Sequence, residues 1–403
     1  MLRSAACALA LTLAAIAPLR AADPIYTLSL GDPARRDRNV TLALDTLIDT
    51  ASGATVDPAT LPGRLRATHL LLLGESHTSV ESHRVQLQVL AALARSGRRV
   101  LIGLEMFPYP EQASLDAWND GRWDDDEFLS RSRWYEHWGY HWAYYRDLFR
   151  FARAHQMPLY AINAPRDLVT AVRQKGLTSL PADQAAHLPP RVDVDSAEHM
   201  TFFKASFGDD DSLHGGMSDA AWTSMLSAQA TWDATMAWNA VQQLRRADAA
   251  DAIMVVLVGS GHVAYGLGIE RQARAWFDGG VASVIAVPLS DDKGPIPAVR
   301  ASYATYVIGV PREPFSAWPA LGLSTRAAAD GAREVIDVEK DTPAAHVGLE
   351  VGDVILELDG VRIDSRERLS RAMAGYQWGD VPQMTIRRGE QTLTVSIPLR
   401  RTP

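Results

Sequence analysis

The sequence predicts an α/β protein, a mostly parallel sheet with helices on both faces, followed by a small β-rich C-terminal domain. Three observations carry this. Between Asp23 and about Pro311, apolar strand-like runs alternate with amphipathic stretches of helical length, the pattern of βαβ units around a parallel sheet. The runs are apolar throughout, as strands buried on both faces must be. After a series of prolines from Pro288 to Pro319 the chain switches to short alternating runs near turn residues.

In chain order, the first segment carries Arg3, an apolar stretch from Ala5 to Ala17 and small residues at Ala21 and Ala22. This is the order of a secretory signal peptide, and the stretch is short for a bilayer span. We therefore expect a signal peptide at 1–22 and an exported, periplasmic chain. The only cysteine, Cys7, lies inside that stretch, so the mature chain would have no disulfide, thiol nucleophile or thiolate ligand. The remaining length suggests two domains, expected at 23–312 and 313–403. No later segment reaches membrane-spanning length, and a net charge of −8 argues against nucleic acid as the main partner.

The expected strands are Leu70–Leu73, Val100–Leu104, Leu159–Asn163, Ile253–Val258, Val281–Val287 and Tyr303–Val310. The expected helices are Ser79–Ser96, Tyr144–His155, Pro165–Lys175, Ala220–Ala247 and Glu270–Phe277. Periodicity fails from Leu180 to Ser218, so that segment is expected to be irregular, either a lid or a connection. In the second domain the expected strands are Glu334–Val338, Val354–Leu358, Gln383–Arg387 and Leu393–Ile397, with a helix around Ser365–Ala374.

Two strands end in Gly-x-x-His: Gly74-Glu75-Ser76-His77 and Gly259-Ser260-Gly261-His262. A third run ends Gly103-Leu104-Glu105. A glycine at a strand end lets the chain turn sharply, and ligands of open α/β sheets sit at that carboxyl edge. Two histidines and two glutamates are thus expected at one rim. One chemical reading is a divalent metal ion held by His77, His262 and Glu105 or Glu75, with the other glutamate as general base. Another uses the same groups to position water without a metal. The stretch Arg133–Tyr145 is the densest aromatic cluster and suits a flat-ligand wall, a dimer interface or core packing. Within it His137 and His141 would share a face if the segment is helical, which Gly139 weakens. Asn163, Arg166 and Asp233 are read as scaffold. His69, His83, His155, His187 and His346 are given no role, and His199 and His214 lie in the irregular segment.

Two resemblances add to this. Thr342-Pro343-Ala344-Ala345-His346-Val347-Gly348-Leu349-Glu350-Val351-Gly352-Asp353-Val354-Ile355, with Asp359-Gly360 after it, resembles PDZ domains of bacterial envelope proteases over about Pro319–Leu399. The resemblance implies that a C-terminal or extended peptide of an envelope protein adds as a strand beside a helix, its carboxylate held at the loop Leu321-Gly322-Leu323. The Gly74-Glu75-Ser76-His77 segment, Gly103-Leu104-Glu105-Met106-Phe107, Ala161-Ile162-Asn163-Ala164-Pro165-Arg166, Ala228-Gln229 with Trp232-Asp233, and Gly259-Ser260-Gly261-His262-Val263-Ala264-Tyr265-Gly266 resemble the ChaN-like branch of the Tiki superfamily. That likeness implies haem binding in iron uptake, held between two protomers by an axial tyrosine, with Tyr265, three residues beyond His262, as the candidate ligand. It also implies kinship with metal-dependent peptidases and esterases. The chain departs from the pattern in having no lipid-attachment cysteine and in Glu270, where proline is expected.

Overall fold

The computed structural model describes residues 24–206, 217–247, 251–289, 298–328 and 331–401. The expected signal peptide, the acidic run at 209–211 and His214 lie outside these residues. No helix among the described residues is long and apolar enough to cross a membrane.

In the first domain the strands are β1 (Asn39–Thr41), β2 (Leu47–Asp49), β3 (Ala54–Val56), β4 (Thr68–Glu75), β5 (Val100–Pro108), β6 (Leu159–Asn163), β7 (Ile253–Gly259), β8 (Gly280–Leu289), β9 (Ala298–Arg300) and β10 (Tyr306–Pro311). Eight form one sheet in the order β3-β2-β10-β8-β4-β7-β5-β6. From β10 to β6 every neighbouring pair is parallel, while β2 joins β10 and β3 antiparallel. β1 and β9 make a separate two-stranded pair.

The period of two along each strand builds two cores. Leu71, Leu73, Ile253, Val255 and Leu257 face one side. Leu70, Leu72, Met254, Val256 and Val258 face the other. Because both faces are covered, neither set has polar alternates, which is why these strands are continuously apolar. The Val80–Arg95 and Arg146–Ala154 helices lie on the first side with the aromatic cluster Trp118, Phe128, Trp134 and Phe149. On the second side runs the Asp219–Arg246 helix, started by the Ser218 cap on Ala221 N–H. Its inward residues Ala237 and Ala240 are small, so it approaches the sheet closely.

The segment expected to be irregular contains helices at Ala182–Ala185 and Ala197–Ala205, the second opened by a Ser196 cap on His199 N–H. His199 and Phe202 are the buried residues of this helix, so this half of the segment is packed against the first domain.

The second domain has β11 (Leu323–Ala327), β12 (Arg333–Val338), β13 (Val354–Leu358), β14 (Val361–Arg362), β15 (Gln383–Arg388) and β16 (Gln391–Ser396), antiparallel throughout. Its core gathers Val335, Ile355, Leu358, Met384, Ile386 and Ile397 with Leu369 of the Arg366–Met373 helix. Among the described residues β11 pairs only with β12 and is an edge of the sheet. Before it, Gly322 turns the chain at φ 73°.

The second domain sits against the aromatic segment of the first. Trp318 stacks on His141 with ring centroids 4.5 Å apart and meets Tyr144 edge-on at 4.4 Å. His141 Nε2 lies 3.1 Å from the Ala374 carbonyl, and Ala317 N–H donates to Tyr144 Oη at 3.1 Å.

Candidate functional site

The parallel register sets the site. Glu75, last in β4, is level with Gly259, last in β7, and Glu105 follows Leu104, which is level with Leu257. His77 and His262 come two and three residues after those strand ends. All four expected residues therefore meet at the carboxyl edge. Gly259 makes this possible: a Cβ there would stand 2.9 Å from His77 Cε1.

Glu75 is buried and does not face the cavity. Its Oε1 accepts from Tyr145 Oη at 2.7 Å and from His77 Nδ1 at 2.9 Å, and its Oε2 accepts from the Gln86 amide at 2.7 Å. His83 Nδ1 is 3.6 Å away. Burial favours the neutral acid, but the His83 and His77 imidazoles and the Tyr145 hydroxyl outweigh it and hold the carboxyl at about 2. An ionised carboxylate only accepts, so Nδ1 of His77 carries hydrogen and Nε2 is left toward the cavity.

His262 repeats the device. Its Nδ1 donates to Asp233 Oδ1 at 2.6 Å, beside the Gln229 amide at 2.9 Å. Its Nε2 lies 3.3 Å from Glu105 Oε1, whose Oε2 accepts Gly259 N–H at 2.7 Å. Burial works against the imidazolium, yet the Asp233 and Glu105 carboxylates raise its pKa to about 10. The Glu105 carboxyl is held below its ordinary value, burial being overcome by His262, His77 and the Gly259 N–H. Asp233 Oδ2 and His199 Nε2, 3.9 Å apart, are both buried without a hydrogen-bond partner. The chain Glu105, His262, Asp233, His199 is thus a buried polar line running into the fold.

These shifts fix a pH dependence. The contribution of His262, raised from 6.5 to about 10, is full below pH 6.5 and is lost as pH rises toward 10. That of Glu75, lowered from 4.5 to about 2, is full above pH 4.5 and is lost as pH falls toward 2. The stability difference between wild type and His262→Asn is expected to be constant up to pH 6.5 and to shrink above it. Denaturant melts across pH 5–10 test this, and a difference that does not change with pH would contradict it.

As to the metal reading, among the described residues no group of three or more His, Cys, Asp or Glu side chains is disposed to hold an ion. The carboxylates are engaged within the fold: Glu75 with three donors, Glu105 with Gly259 and His262, and Asp233 through Oδ1 with His262. Tyr265 does not join the cluster either. With φ 60° at Tyr265 and 67° at Gly266, the chain turns its ring away to pack edge-on against Tyr303 and Phe202. Its hydroxyl donates to Ile25 O at 2.7 Å and accepts from Leu28 N–H at 3.0 Å, and burial raises its pKa.

In front of the cluster opens a cavity of about 960 Å³, large enough for a cofactor. His77, His262 and Glu105 form part of its wall, with Trp138, Tyr140, Met106, Phe203, Met225 and Trp232 as apolar surface and Arg133, Arg166, Arg173 and Arg366 as cations. The aromatic segment is not one helix: Trp134–His137 ends before Gly139, whose φ is 86°. His137 faces the cavity, while His141 caps Ala143 N–H and stacks on Trp318. The residues that sequence reasoning set aside or read as scaffold include Asp233 and Arg166, both at the site. His83 and Gln86 support it from one face of the Val80–Arg95 helix. Asn163 is scaffold, its amide bonding Glu105 O at 2.8 Å.

A family model described as haem-binding uptake, Tiki superfamily, ChaN matches residues 61–272, and a PDZ model matches residues 319–399. The structure of ChaN from Campylobacter jejuni, described with cofacial haem binding, aligns with a TM-score of 0.51 at 18% identity, covering 66% of this chain and 98% of that one. It shares the fold. A probable periplasmic serine endoprotease, DegP-like, from Halomonas elongata is 40% identical over 65 residues, 16% of this chain. That stretch spans 14% of the relative's length.

Proposed function

Because this chain belongs to the haem-binding uptake (ChaN) family of the Tiki superfamily, we propose that its first domain holds haem in the cavity at the sheet's carboxyl edge, and that its PDZ domain binds a peptide. The observation that carries the haem reading is the cavity itself. Its aromatic and methionine surface suits a porphyrin face, its arginines suit carboxylates, and its free donors suit iron. Tyr140 Oη has no hydrogen-bond partner among the described residues, and the buried His137 Nε2 has only Glu111 Oε1 near it, at 3.5 Å.

Tyr140, with its ring 4.9 Å from that of His77 and 5.2 Å from that of Trp138, is the side chain we assign to the iron. Tyrosinate is an established haem ligand type. Burial and the Glu105 and Glu75 charges raise its pKa, opposed by Arg366 and Arg166; ferric haem supplies the positive charge that favours the phenolate. His77, fixed by Glu75, stands beside the phenol to exchange a proton with it. The second domain contributes an edge strand, β11, next to the loop Leu321-Gly322-Leu323, the arrangement used to add an extended peptide. Export to the periplasm and a role in iron or haem handling accord with this reading, as do peptides of envelope proteins as partners.

Tyr140→Phe is expected to shift the Soret band of the haem complex, whereas Tyr265→Phe leaves it unchanged. An unaltered spectrum in Tyr140→Phe would remove it as the ligand.

One observation favours a second reading. Two imidazoles, each oriented by a buried carboxylate and flanking Glu105, are also what a metal-free hydrolytic site needs. Hydrolysis abolished by both His77→Ala and His262→Ala would support it; retained activity would end it.

A further inference from the structure

A cation from the second domain lies in the wall of the first domain's cavity. Arg366 begins the Arg366–Met373 helix, whose Leu369 is anchored in the second domain's core. Its guanidinium rests on Gly139, where a Cβ would come within 2.9 Å of Nη2. The aromatic segment thus leaves room for this side chain at a residue already in the left-handed region, φ 86°, where glycine is favoured.

The charges around Arg366 are matched unevenly. Arg133 pairs with Glu136, and His137 lies 3.5 Å from Glu111. Arg366 has no hydrogen-bonded or ion-paired partner among the described residues. Arg166, in the same wall, donates from Nη2 to the His137 carbonyl at 3.1 Å and has no carboxylate partner. Burial lowers the pKa of both, and for Arg166 the next cause is repulsion by Arg366. Glu105, Glu111, Glu136 and Asp167 also line the cavity, but among the described residues none of them ion-pairs with Arg366 or Arg166, so both guanidinium groups are left for an anionic ligand. Guanidinium groups bind carboxylates in a paired, two-point geometry.

We propose that Arg366 and Arg166 form a clamp, one arm from each domain, for the carboxylates of the ligand in the cavity. The ligand site is then completed by the second domain. This deepens the haem reading and rests on it: haem carries two propionate carboxylates at one edge, opposite in character to the apolar ring that the aromatic wall accepts.

The test uses the purified full-length protein, titrated with ferric haem and with its dimethyl ester, in wild type, Arg366→Gln and Arg166→Gln. Melting curves confirm that each variant is folded. Each variant is expected to lose about 10- to 100-fold in affinity for haem, the loss of a charged hydrogen bond, and to bind the ester as wild type does. An equal loss for haem and ester, or no loss for either, would overturn the clamp while leaving haem binding intact. A wild-type protein that binds neither compound would overturn the haem reading and the clamp together.

Discussion

Glu75→Ala is expected to destabilise the first domain by about 3–5 kcal/mol, the range for breaking a buried charged network by removing one partner. Glu75 is 2% exposed, and three donors converge on it from separate elements: Tyr145, Gln86 and His77. Alanine leaves the Tyr145 hydroxyl with only the His77 carbonyl at 3.5 Å and the Gln86 amide with only the Leu73 carbonyl at 3.2 Å, and each buried polar group that loses its charged acceptor carries a desolvation cost. The His77 ring also loses the contact that sets its orientation. Tyr145→Phe, which removes one donor and keeps the carboxylate, should cost less, about 1–3 kcal/mol. Denaturant unfolding monitored by tryptophan fluorescence measures both. Equal midpoints for Glu75→Ala and wild type would show that the network is not structural.

Gly268→Ala is expected to disrupt the other half of the cluster. A Cβ at this position would lie 2.3 Å from the His262 carbonyl oxygen, 2.8 Å from its carbon and 3.1 Å from Asp233 Oδ1. The first two atoms are backbone, so no rotamer change relieves the clash. The turn carrying His262 must move away from the Asp219–Arg246 helix, and the 2.6 Å bond between His262 and Asp233 lengthens or breaks. The cost should reach or exceed the ~1–3 kcal/mol of ordinary overpacking. Gly259→Ala provides the comparison: there the new methyl meets the end of the His77 side chain, which can swing, so the effect falls on the cavity more than on stability. A Gly268→Ala protein that melts with wild type, its His262 signals unshifted by NMR, would refute this account of the turn.

The central strands were legible because burial on both faces makes them continuously apolar, and the glycines at their ends marked the edge where the histidine and glutamate cluster sits. β1, β2, β3 and β9 are three residues each, too short to show a period. The Gln112–Asn119 and Asp125–Arg131 helices are eight and seven residues long, too short to show a sustained period.

At the site, His77, His262, Glu75 and Glu105 could be found because each stands at or just beyond the end of an apolar run. Asp233 could not, since its importance depends on a helix in mid-course passing 2.6 Å from a loop 29 residues later. Tyr265 was misplaced for the converse reason. Nearness to His262 in sequence says nothing when the intervening chain adopts a left-handed turn that sends the ring to the opposite core. Arg366 was hidden because it belongs to another domain, and only the packing of that domain on the aromatic segment brings it to the cavity.

The most direct test of the central claim is an absorbance titration of the purified protein with ferric haem. The account predicts saturable binding with a shifted Soret band that changes again in Tyr140→Phe. Absorbance that rises without saturation, identical in wild type and mutant, would contradict it and return the His77, His262 and Glu105 cluster to the hydrolytic reading.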